Sequence, residues 1–278
     1  MNELYVRFPG GKGKAVTLSY DDGVEQDERL LEIMRKNGLK GTFNLNSGLY
    51  AEEGTVFEPG KVHRRLTLKK AMELFGNTEN EVAVHGLYHP FYTQIPVDAL
   101  TYEIVKDREN LEKQFHTLVR GSAYPFGVTN PCVEEVLKNA GIVYARTTES
   151  THRFDLPADW LKLNPTCHHK DPQLMELAEK FIQWNKGNNS HLFYLWGHSF
   201  EFEADNNWNI IEQFASYIGK REDVWYATNI EICDYIQDFY RLRFSLERNL
   251  VENPTASVIW FFCNGKIRSV EPGQRIQL

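Results

Sequence analysis

The stretch that decides the fold reads Ala15-Val16-Thr17-Leu18-Ser19-Tyr20-Asp21-Asp22-Gly23. Its first six residues form a short run rich in apolar and β-branched side chains, which predicts a buried strand. Two carboxylates and a glycine follow where that strand ends. Successive strand side chains point to opposite faces, so Asp21 and Asp22 can serve one site only if the chain turns, as Gly23 permits. The competing interpretation is an Asp-Asp-Gly turn that only caps the next helix.

Outward from this strand, predicted strands and helices alternate along the chain. We expect helices at 27–37, 68–75, 97–116, 131–140, 171–186, 208–218 and 230–246, and further strands at 41–46, 81–85, 119–124, 142–147, 161–164, 191–196 and 224–228. Such alternation is typical of a parallel α/β architecture. An open doubly wound sheet also fits, but no glycine-rich nucleotide loop follows the first strand. We therefore predict an α/β fold, a deformed (β/α) barrel of seven or eight strands.

The chain of 278 residues shows neither an internal repeat nor a low-complexity linker. We therefore expect a single domain over residues 1–278, with the motifs in a core at about 15–200. Near the end, Cys263-Asn264-Gly265-Lys266 lies between apolar runs, which indicates a hairpin turn. A short C-terminal β-hairpin within 250–278 is predicted to pack on the domain.

Charge and composition exclude several functions. The chain carries 31 Lys and Arg against 38 Asp and Glu, a net charge of −7, which opposes a nucleic-acid or anionic membrane partner. No apolar run is long enough for membrane insertion. The start lacks a basic region followed by an apolar stretch, so we expect a cytoplasmic protein, although a processed secreted form would look the same. The four cysteines are widely spaced, which indicates buried thiols rather than disulfides or a thiolate zinc site.

Four predicted strands end in unusual polar residues, namely Asp21-Asp22-Gly23, His85–Pro90, Tyr124–Gly127 and His198. In a β/α barrel these ends meet on the face where active sites are built. His85 and His89 are spaced as H-x-x-x-H, on a loop rather than a helix because Gly86 and Pro90 disfavour a helix there. With Asp22 they offer two nitrogens and one oxygen, which suits Zn²⁺ or a neighbouring divalent transition ion better than Mg²⁺. Two unrelated surface histidines are the alternative.

The order of these motifs resembles that of the polysaccharide deacetylases of the NodB-homology, or chitooligosaccharide deacetylase, type (carbohydrate esterase family 4-like). The family's five motifs correspond here to Ser19–Gly23, His85–His89, Ala123–Gly127, Asp159-Trp160 and His198. Two departures are visible. Glycine replaces a hydroxyl residue in the second motif, and Ala123 stands where the third motif has an arginine. That arginine orients the catalytic base in the family, and Arg120 or Arg146 is a spatial substitute to test.

The resemblance implies a deformed barrel that removes acetyl groups, N-acetyl and also O-acetyl, from a carbohydrate. It implies one divalent transition metal, with zinc first and cobalt, nickel or manganese as alternatives, on Asp22, His85 and His89. Chemically, Asp21 is placed as the general base and His198 as the acid that protonates the leaving group. The remaining predicted contributors are Tyr124 and the backbone N–H of Phe126 at the oxyanion, and Trp160 as a wall of the acetyl pocket or, equally, a core tryptophan. His168 and His169 are expected at the surface rather than in the cleft.

Two other functions stay open at this point. The same site suits an amidohydrolase or esterase acting on a small non-polymeric substrate. A catalytically silent glycan-binding barrel is the third reading, although a binding protein needs neither a base nor an acid. The sequence leaves the sugar, the native metal and the oligomeric state open.

Overall fold

The computed structural model describes residues 3–184 and 187–278. The strands in those ranges are β1 (Leu4–Arg7), β2 (Lys14–Asp21), β3 (Gly41–Leu45), β4 (Glu81–Val84), β5 (Gly121–Ala123), β6 (Tyr144–Arg146), β7 (Cys167–His168), β8 (His191–Gly197), β9 (Val224–Tyr226), β10 (Arg243–Phe244), β11 (Leu250–Glu252), β12 (Ile259–Cys263), β13 (Lys266–Val270) and β14 (Arg275–Gln277). The helices are α1 (Asp27–Lys36), α2 (Leu68–Phe75), α3 (Val97–Phe115), α4 (Pro131–Asn139), α5 (Leu174–Gln183), α6 (Phe200–Ala204), α7 (Asn209–Ile218) and α8 (Asn229–Tyr240). The predicted alternation is confirmed along most of the chain.

Local sequence signals set several of the helix boundaries. Thr67 and Asn130 cap α2 and α4 as predicted, because each side chain accepts a hydrogen bond from a backbone N–H in the first turn. The predicted start of α5 at 171 is wrong. Asp171 accepts the N–H of Gln173 at 2.9 Å in a preceding turn, and the helix begins only at Leu174. The predicted end at 186 lies outside the described residues.

The central sheet is parallel throughout, in the order β6-β5-β4-β3-β2-β8-β7, with β9 paired to β2 off that path. The long strand β2 makes this branching possible. Its first half (Lys14–Val16) pairs with β9 and its second half (Leu18–Asp21) with β3, while β8 runs along its other edge. The sheet thus curls into a half-barrel with helices outside. The predicted deformed (β/α) barrel is confirmed.

The inner face of the half-barrel is polar near its centre. Thr17 donates to Asn229 at 2.9 Å, and Asn44 donates to Ser19 at 2.8 Å. The opposite faces of these strands are apolar and pack under the helices in one large cluster, in which Leu18 and Tyr20 are buried. Burial on both faces explains why β2 reads as a nearly continuous strand signal. The inner polar residues lead along β2 to Asp21.

The predicted strand at 161–164 is wrong. A 3-10 turn occupies Trp160–Lys162, capped by the Asp159 carboxylate, which accepts the N–H of Leu161 at 2.9 Å. Only Leu163 bridges in parallel to Arg146 at the end of β6. This side-chain cap holds the segment in a turn, and a single bridge is left beside the sheet edge.

The C-terminal region is larger than the predicted hairpin. Strands β12 and β13 do form that hairpin, with Asn264 and Gly265 at φ of 51° and 76° in the turn. They also pair with β1 in one antiparallel sheet, and β10, β11 and β14 form another. The predicted helix to 246 ends at Tyr240, because the chain after it enters β10 and pairs with β11. The single domain over 1–278 stays a prediction.

Three of the four cysteines are buried, as predicted, and all four are free thiols. Cys132 is the exception and is exposed, because it follows Pro131 on the solvent side of the first turn of α4. Within the described ranges, no helix combines the length and apolar character that crossing a membrane requires.

Candidate active site

Three predicted ligands meet at the carboxyl ends of the strands. Asp22 follows β2, His85 follows β4, and His89 lies four residues later on the same loop; one ligand atom from each lies within 4.8 Å of the others. The two Nε2 atoms of His85 and His89 are 3.1 Å apart. Nδ1 of His85 lies 2.9 Å from the carbonyl of Ala123, so it carries the ring proton and Nε2 keeps a free lone pair. Two imidazole nitrogens and a carboxylate facing one another fit a divalent transition metal.

Burial keeps both histidines neutral, as metal ligation requires. It lowers the pKa of His89 to about 4, with the neighbouring His85 adding to the shift. It also lowers the pKa of His85, against the opposing charges of Asp21 and Asp22. The two rings are therefore available as neutral ligands at pH 7.

The site is built on strained turns. Asp22, His89 and Phe126 have φ of 84°, 56° and 60°, in the left-handed region that residues with a Cβ seldom adopt. The turn predicted at Gly23 thus begins one residue earlier, at Asp22. It brings Asp21 and Asp22 into the same cleft. Each such residue costs on the order of 1–3 kcal/mol, and strain of this kind concentrates at functional sites.

A buried arginine holds Asp21. Arg146, at the end of β6, donates from Nη2 to both oxygens of Asp21, at 2.6 Å to Oδ1, and Asn44 donates to Oδ1 at 2.8 Å. The ring of Trp196 covers the guanidinium at 4.5 Å. Burial alone would raise the pKa of the Asp21 carboxyl, but Arg146 and then His85 hold it below its usual range. Asp21 is therefore charged.

Arg146 also answers the question left by the third motif. Ala123 of β5 occupies the motif's arginine position, and Asp21 pairs instead with Arg146 of the neighbouring strand β6. The other candidate, Arg120, pairs with Asp234 of α8 instead. Only the folding of the sheet distinguishes these two residues.

His198 follows β8 and lies between two carboxylates. Its Nε2 is 3.7 Å from Oδ2 of Asp21, and its Nδ1 is 3.5 Å from Oε2 of Glu201 in α6. Burial alone would lower the pKa of His198, but Glu201 and then Asp21 raise it above its ordinary value. A histidine with a raised pKa stays protonated closer to neutral pH, as a general acid requires.

Glu201 is held by further histidines. The backbone N–H of Lys170 donates to Nδ1 of His168 at 3.1 Å, so the ring proton of His168 sits on Nε2, 3.1 Å from Glu201. Nε2 of His169 is 3.2 Å from the same oxygen. Burial would raise the pKa of Glu201, but these histidines hold it well below its usual range. Glu201 is therefore an anion aimed at His198.

The prediction that His168 and His169 lie at the surface is wrong for His169. Its ring is buried and stacks on Phe202 with centroids 4.1 Å apart. A side chain at Gly197 would collide with it, so the glycine at the end of β8 makes room for this ring. No feature of the sequence indicates that the apolar segments around His169 bury its ring.

The third and fourth motifs are placed differently from the ligands. Phe126 is half-exposed at the rim, with its ring 4.7 Å from that of His89 and stacked on Phe91 at 3.6 Å. Tyr124 is buried and donates its hydroxyl to the carbonyl of Leu161 at 2.8 Å. Trp160 is partly buried and packs against a second hydrophobic cluster, which includes Tyr144, Leu163 and Phe261. The roles assigned to these three residues stay predictions.

Helix α3 supports the histidine loop with two carboxylates that the sequence reading missed. Asp107 is fully buried and accepts the N–H of His85 at 3.1 Å and that of Ser47 at 2.8 Å. Glu103 accepts the N–H of Tyr88 at 2.8 Å. A signal existed for Asp107, because it lies at the helical spacing of the apolar face and a carboxylate there has to be paired.

Two further side chains that contact Asp22, those of Arg65 and His63, were not predicted from the sequence. Arg65 donates to Oδ1 at 3.1 Å, and Nε2 of His63 is 3.0 Å from Oδ2. Both come from the long connection between β3 and α2. No motif marked them, since a loop residue far away in sequence can reach the site only through the tertiary fold.

Comparison with known proteins agrees with the motifs. Residues 9–145 match the polysaccharide deacetylase family, so the predicted family resemblance is confirmed. This match supports the prediction of a carbohydrate deacetylase. No curated protein matches the chain at a significant level.

Solved structures share the fold. A protein described as a polysaccharide deacetylase from Mycobacterium smegmatis is 16% identical with a TM-score of 0.58, over 86% of this chain and 96% of that one. The Xyl-CE4 domain of a multidomain xylanase from the hindgut metagenome of Trinervitermes trinervoides is 14% identical with a TM-score of 0.51, over 81% and 92%. The Streptococcus pyogenes deacetylase PplD, in complex with acetate, is 24% identical with a TM-score of 0.40, over 48% of this chain and 55% of that one. The first two likenesses support the deformed barrel.

Proposed function

We propose that this chain, whose residues 9–145 belong to the polysaccharide deacetylase family, hydrolyses acetyl groups from a carbohydrate with one divalent metal on Asp22, His85 and His89. The observation that carries the proposal is the convergence of that triad with a separately paired carboxylate, Asp21, and a carboxylate-backed histidine, His198. Zinc is the proposed ion, because two neutral imidazoles and one carboxylate are a common catalytic zinc set. Cobalt, nickel and manganese are the alternatives.

The residues divide the chemistry between them. When bound, a divalent ion at this triad polarises the acetyl carbonyl and lowers the pKa of the attacking water. Asp21 accepts the proton of that water through Oδ2, the oxygen that lies 3.7 Å from both His85 and His198. Arg146 and Asn44 fix the carboxylate so that it cannot rotate away. A backbone N–H at Phe126 is the proposed donor to the developing oxyanion.

His198 completes the reaction by protonating the leaving amine or alcohol. Nδ1 faces Glu201, so the transferable proton sits on Nε2, the nitrogen directed to Asp21 and the cleft. The negative charge of Glu201 stabilises the protonated ring, and His168 and His169 keep Glu201 in place. This arrangement gives His198 a fixed tautomer and a fixed direction.

Acetate release tests the proposal. Purified protein is assayed on N-acetylated and O-acetylated oligosaccharides with added zinc and, separately, after chelation. We expect release that is lost on chelation and restored by metal. Asp21→Asn should keep one metal per chain and lower turnover by about 10²–10⁴-fold, the worth of a general base. His89→Ala should lose the metal. If neither N-acetyl nor O-acetyl sugars release acetate, or if release survives chelation, the proposal is wrong.

A further inference from the structure

Arg65 donates three side-chain hydrogen bonds at the Asp22 turn and to Asn46. Its Nη2 donates to Oδ1 of Asp22 at 3.1 Å, and its Nη1 donates both to the backbone carbonyl of Asp22 and to Oδ1 of Asn46, the latter at 2.6 Å. The guanidinium thus holds the side chain and the backbone of one proposed ligand at the same time. It does so at a residue whose φ of 84° is strained.

Asn46 carries the connection to the histidines. It is 2% exposed, and its amide donates to the carbonyls of His85 and Gly86 at 2.6 and 2.8 Å. Arg65 and Asn46 therefore form one continuous bridge from the Asp22 turn to the His85 turn. These two turns lie at the ends of β2 and β4, which are separated in the sheet by β3.

We propose that Arg65 and Asn46 are positioning residues for the metal site, whose bridge fixes Asp22 and His85 in the mutual orientation that binds the ion. The inference rests on the proposed Asp22, His85 and His89 ligand set. Partners behind metal ligands typically contribute ten- to hundred-fold to metal affinity, because they reduce the reorganisation that binding requires. The strain at Asp22 makes such support necessary, since a freed turn would relax.

The positive charge of Arg65 acts in the opposite direction, because it repels a cation. Two features favour the positioning role. The guanidinium donates hydrogen bonds to three acceptors of fixed position, and two of them, the backbone carbonyl of Asp22 and Oδ1 of Asn46, are uncharged. Its charge is also compensated by Asp22, in the same way that Arg146 compensates Asp21. Removing Arg65 frees the Asp22 turn and also removes a positive charge. We expect the first effect to dominate, so that zinc affinity falls.

The experiment measures zinc affinity of the metal-free protein by competition with a chromophoric chelator, with Arg65→Met, Arg65→Lys and Asn46→Ala. We expect each variant to bind zinc about ten- to hundred-fold more weakly. Arg65→Lys keeps the charge but loses the two-pronged geometry, so its loss separates positioning from charge. The matched control is Arg64→Met: Arg64 pairs with Glu25 and Glu203 and should leave zinc affinity unchanged.

The absorption spectrum of the cobalt-substituted protein gives a second readout, because its visible bands report coordination geometry and should change in the Arg65 and Asn46 variants only. Thermal unfolding without metal identifies any variant that fails to fold, and the bridge is then judged on the remaining one. Wild-type affinity or tighter binding in folded Arg65→Met and Asn46→Ala overturns the inference. Absence of stoichiometric zinc in the wild type would overturn the proposed function as well, so the two failures are distinct.

Discussion

Asp21 and Asp22 are adjacent in sequence, yet each has its own arginine from a different part of the chain. Arg146 pairs with Asp21 from the end of β6, and Arg65 pairs with Asp22 from the loop before α2. Burying two carboxylates side by side is costly unless each is paired and hydrogen-bonded. The separate partners allow both residues to stay charged a few ångströms apart, so that one can serve as a ligand and the other as a base.

The pairing predicts the effect of removing Arg146. Arg146→Gln leaves Asp21 buried without its cation, so we expect a loss of about 3–5 kcal/mol in the free energy of unfolding. Turnover should fall by about 10²–10⁴-fold while zinc stoichiometry is unchanged, because the base is misplaced and the ligands are not. Urea unfolding, metal analysis and acetate release measure the three quantities. Arg120→Gln is the matched control, and comparable loss of turnover in both variants would refute the assignment.

Glu201 predicts a pH effect. Since Glu201 raises the pKa of His198, Glu201→Gln should lower that pKa. An acid works only while protonated, so activity falls as pH rises through its pKa, and the variant should lose activity at lower pH than the wild type. The measurement is the pH profile of turnover on an N-acetyl sugar. p-Nitrophenyl acetate, whose leaving group needs no proton, serves as control; an unshifted limb on the sugar counts against the role of Glu201.

At the scale of elements, the strand ends are joined by buried carboxylates on helices. Asp107 of α3 links the His85 turn to Ser47. Asp27 of α1 links the turn after β2 to the loop after His198. Asp27 accepts the N–H of Val24 at 3.0 Å and the hydroxyl of Ser199 at 2.6 Å. Helices α1 and α3 therefore each contribute a buried polar anchor, at the first residue of α1 and near the middle of α3, as well as an apolar face. Burial raises the pKa of both carboxyls to about 7.

Asp27 predicts how stability depends on pH. Its folded pKa of about 7 lies above its ordinary value of 3.8, so between these values the folded chain holds a proton that the unfolded chain has released. Its contribution to the free energy of unfolding therefore falls as pH rises, by up to about 1.4 kcal/mol per unit. Asp27→Asn can still accept the N–H of Val24 at its amide oxygen and can donate its NH₂ to the Ser199 hydroxyl, so it should remove this contribution while both contacts remain.

Urea unfolding of the metal-free protein at several pH values between 4 and 7.5 measures the slope for the wild type and for Asp27→Asn. Glu28→Gln is the control for the loss of a carboxylate from the same helix, because Glu28 is exposed and pairs with Lys70 at the surface. Identical slopes in the wild type and Asp27→Asn would mean that the carboxyl is already ionised in the folded protein.

At the scale of the whole molecule, the two ends of the chain meet. Strand β1 pairs with β12, and together with α8 they enclose a second hydrophobic cluster beside the barrel. Tyr235 of α8 contacts both strands, because its hydroxyl donates to the carbonyl of Arg7 in β1 at 2.7 Å and accepts the N–H of Trp260 in β12 at 2.9 Å. The C-terminal strands are thus structural partners of the N-terminus.

The second cluster predicts a stability effect separate from the site. Phe261 is fully buried in it, so Phe261→Ala should lower the free energy of unfolding by about 3–5 kcal/mol. Zinc stoichiometry should be retained. Ile267, on the same hairpin, is 53% exposed, and Ile267→Ala should change stability by less than about 1 kcal/mol. Equal effects of the two substitutions on urea unfolding would show that the hairpin does not close this cluster.

The sequence by itself determined the fold class and most of the elements. Strand β2, the caps at Thr67 and Asn130 and the Asn264-Gly265 turn are local signals, because backbone preference and side-chain periodicity act over a few residues. The same locality explains the predicted triad. Parallel strands place their carboxyl ends at one edge, so Asp22, His85 and His89 could be grouped from strand order alone.

The tertiary structure alone decided which distant residues complete the site. Arg146 instead of Arg120, and Arg65 and Asn46 behind Asp22, depend on how the sheet curls and where a loop returns, whereas Glu201 lies only three residues after His198. The pairing of β1 with β12 depends on the same long-range geometry. A charged residue carries no local mark of its partner, because the cost of burying it is compensated only by a group that the completed fold brings within hydrogen-bonding distance.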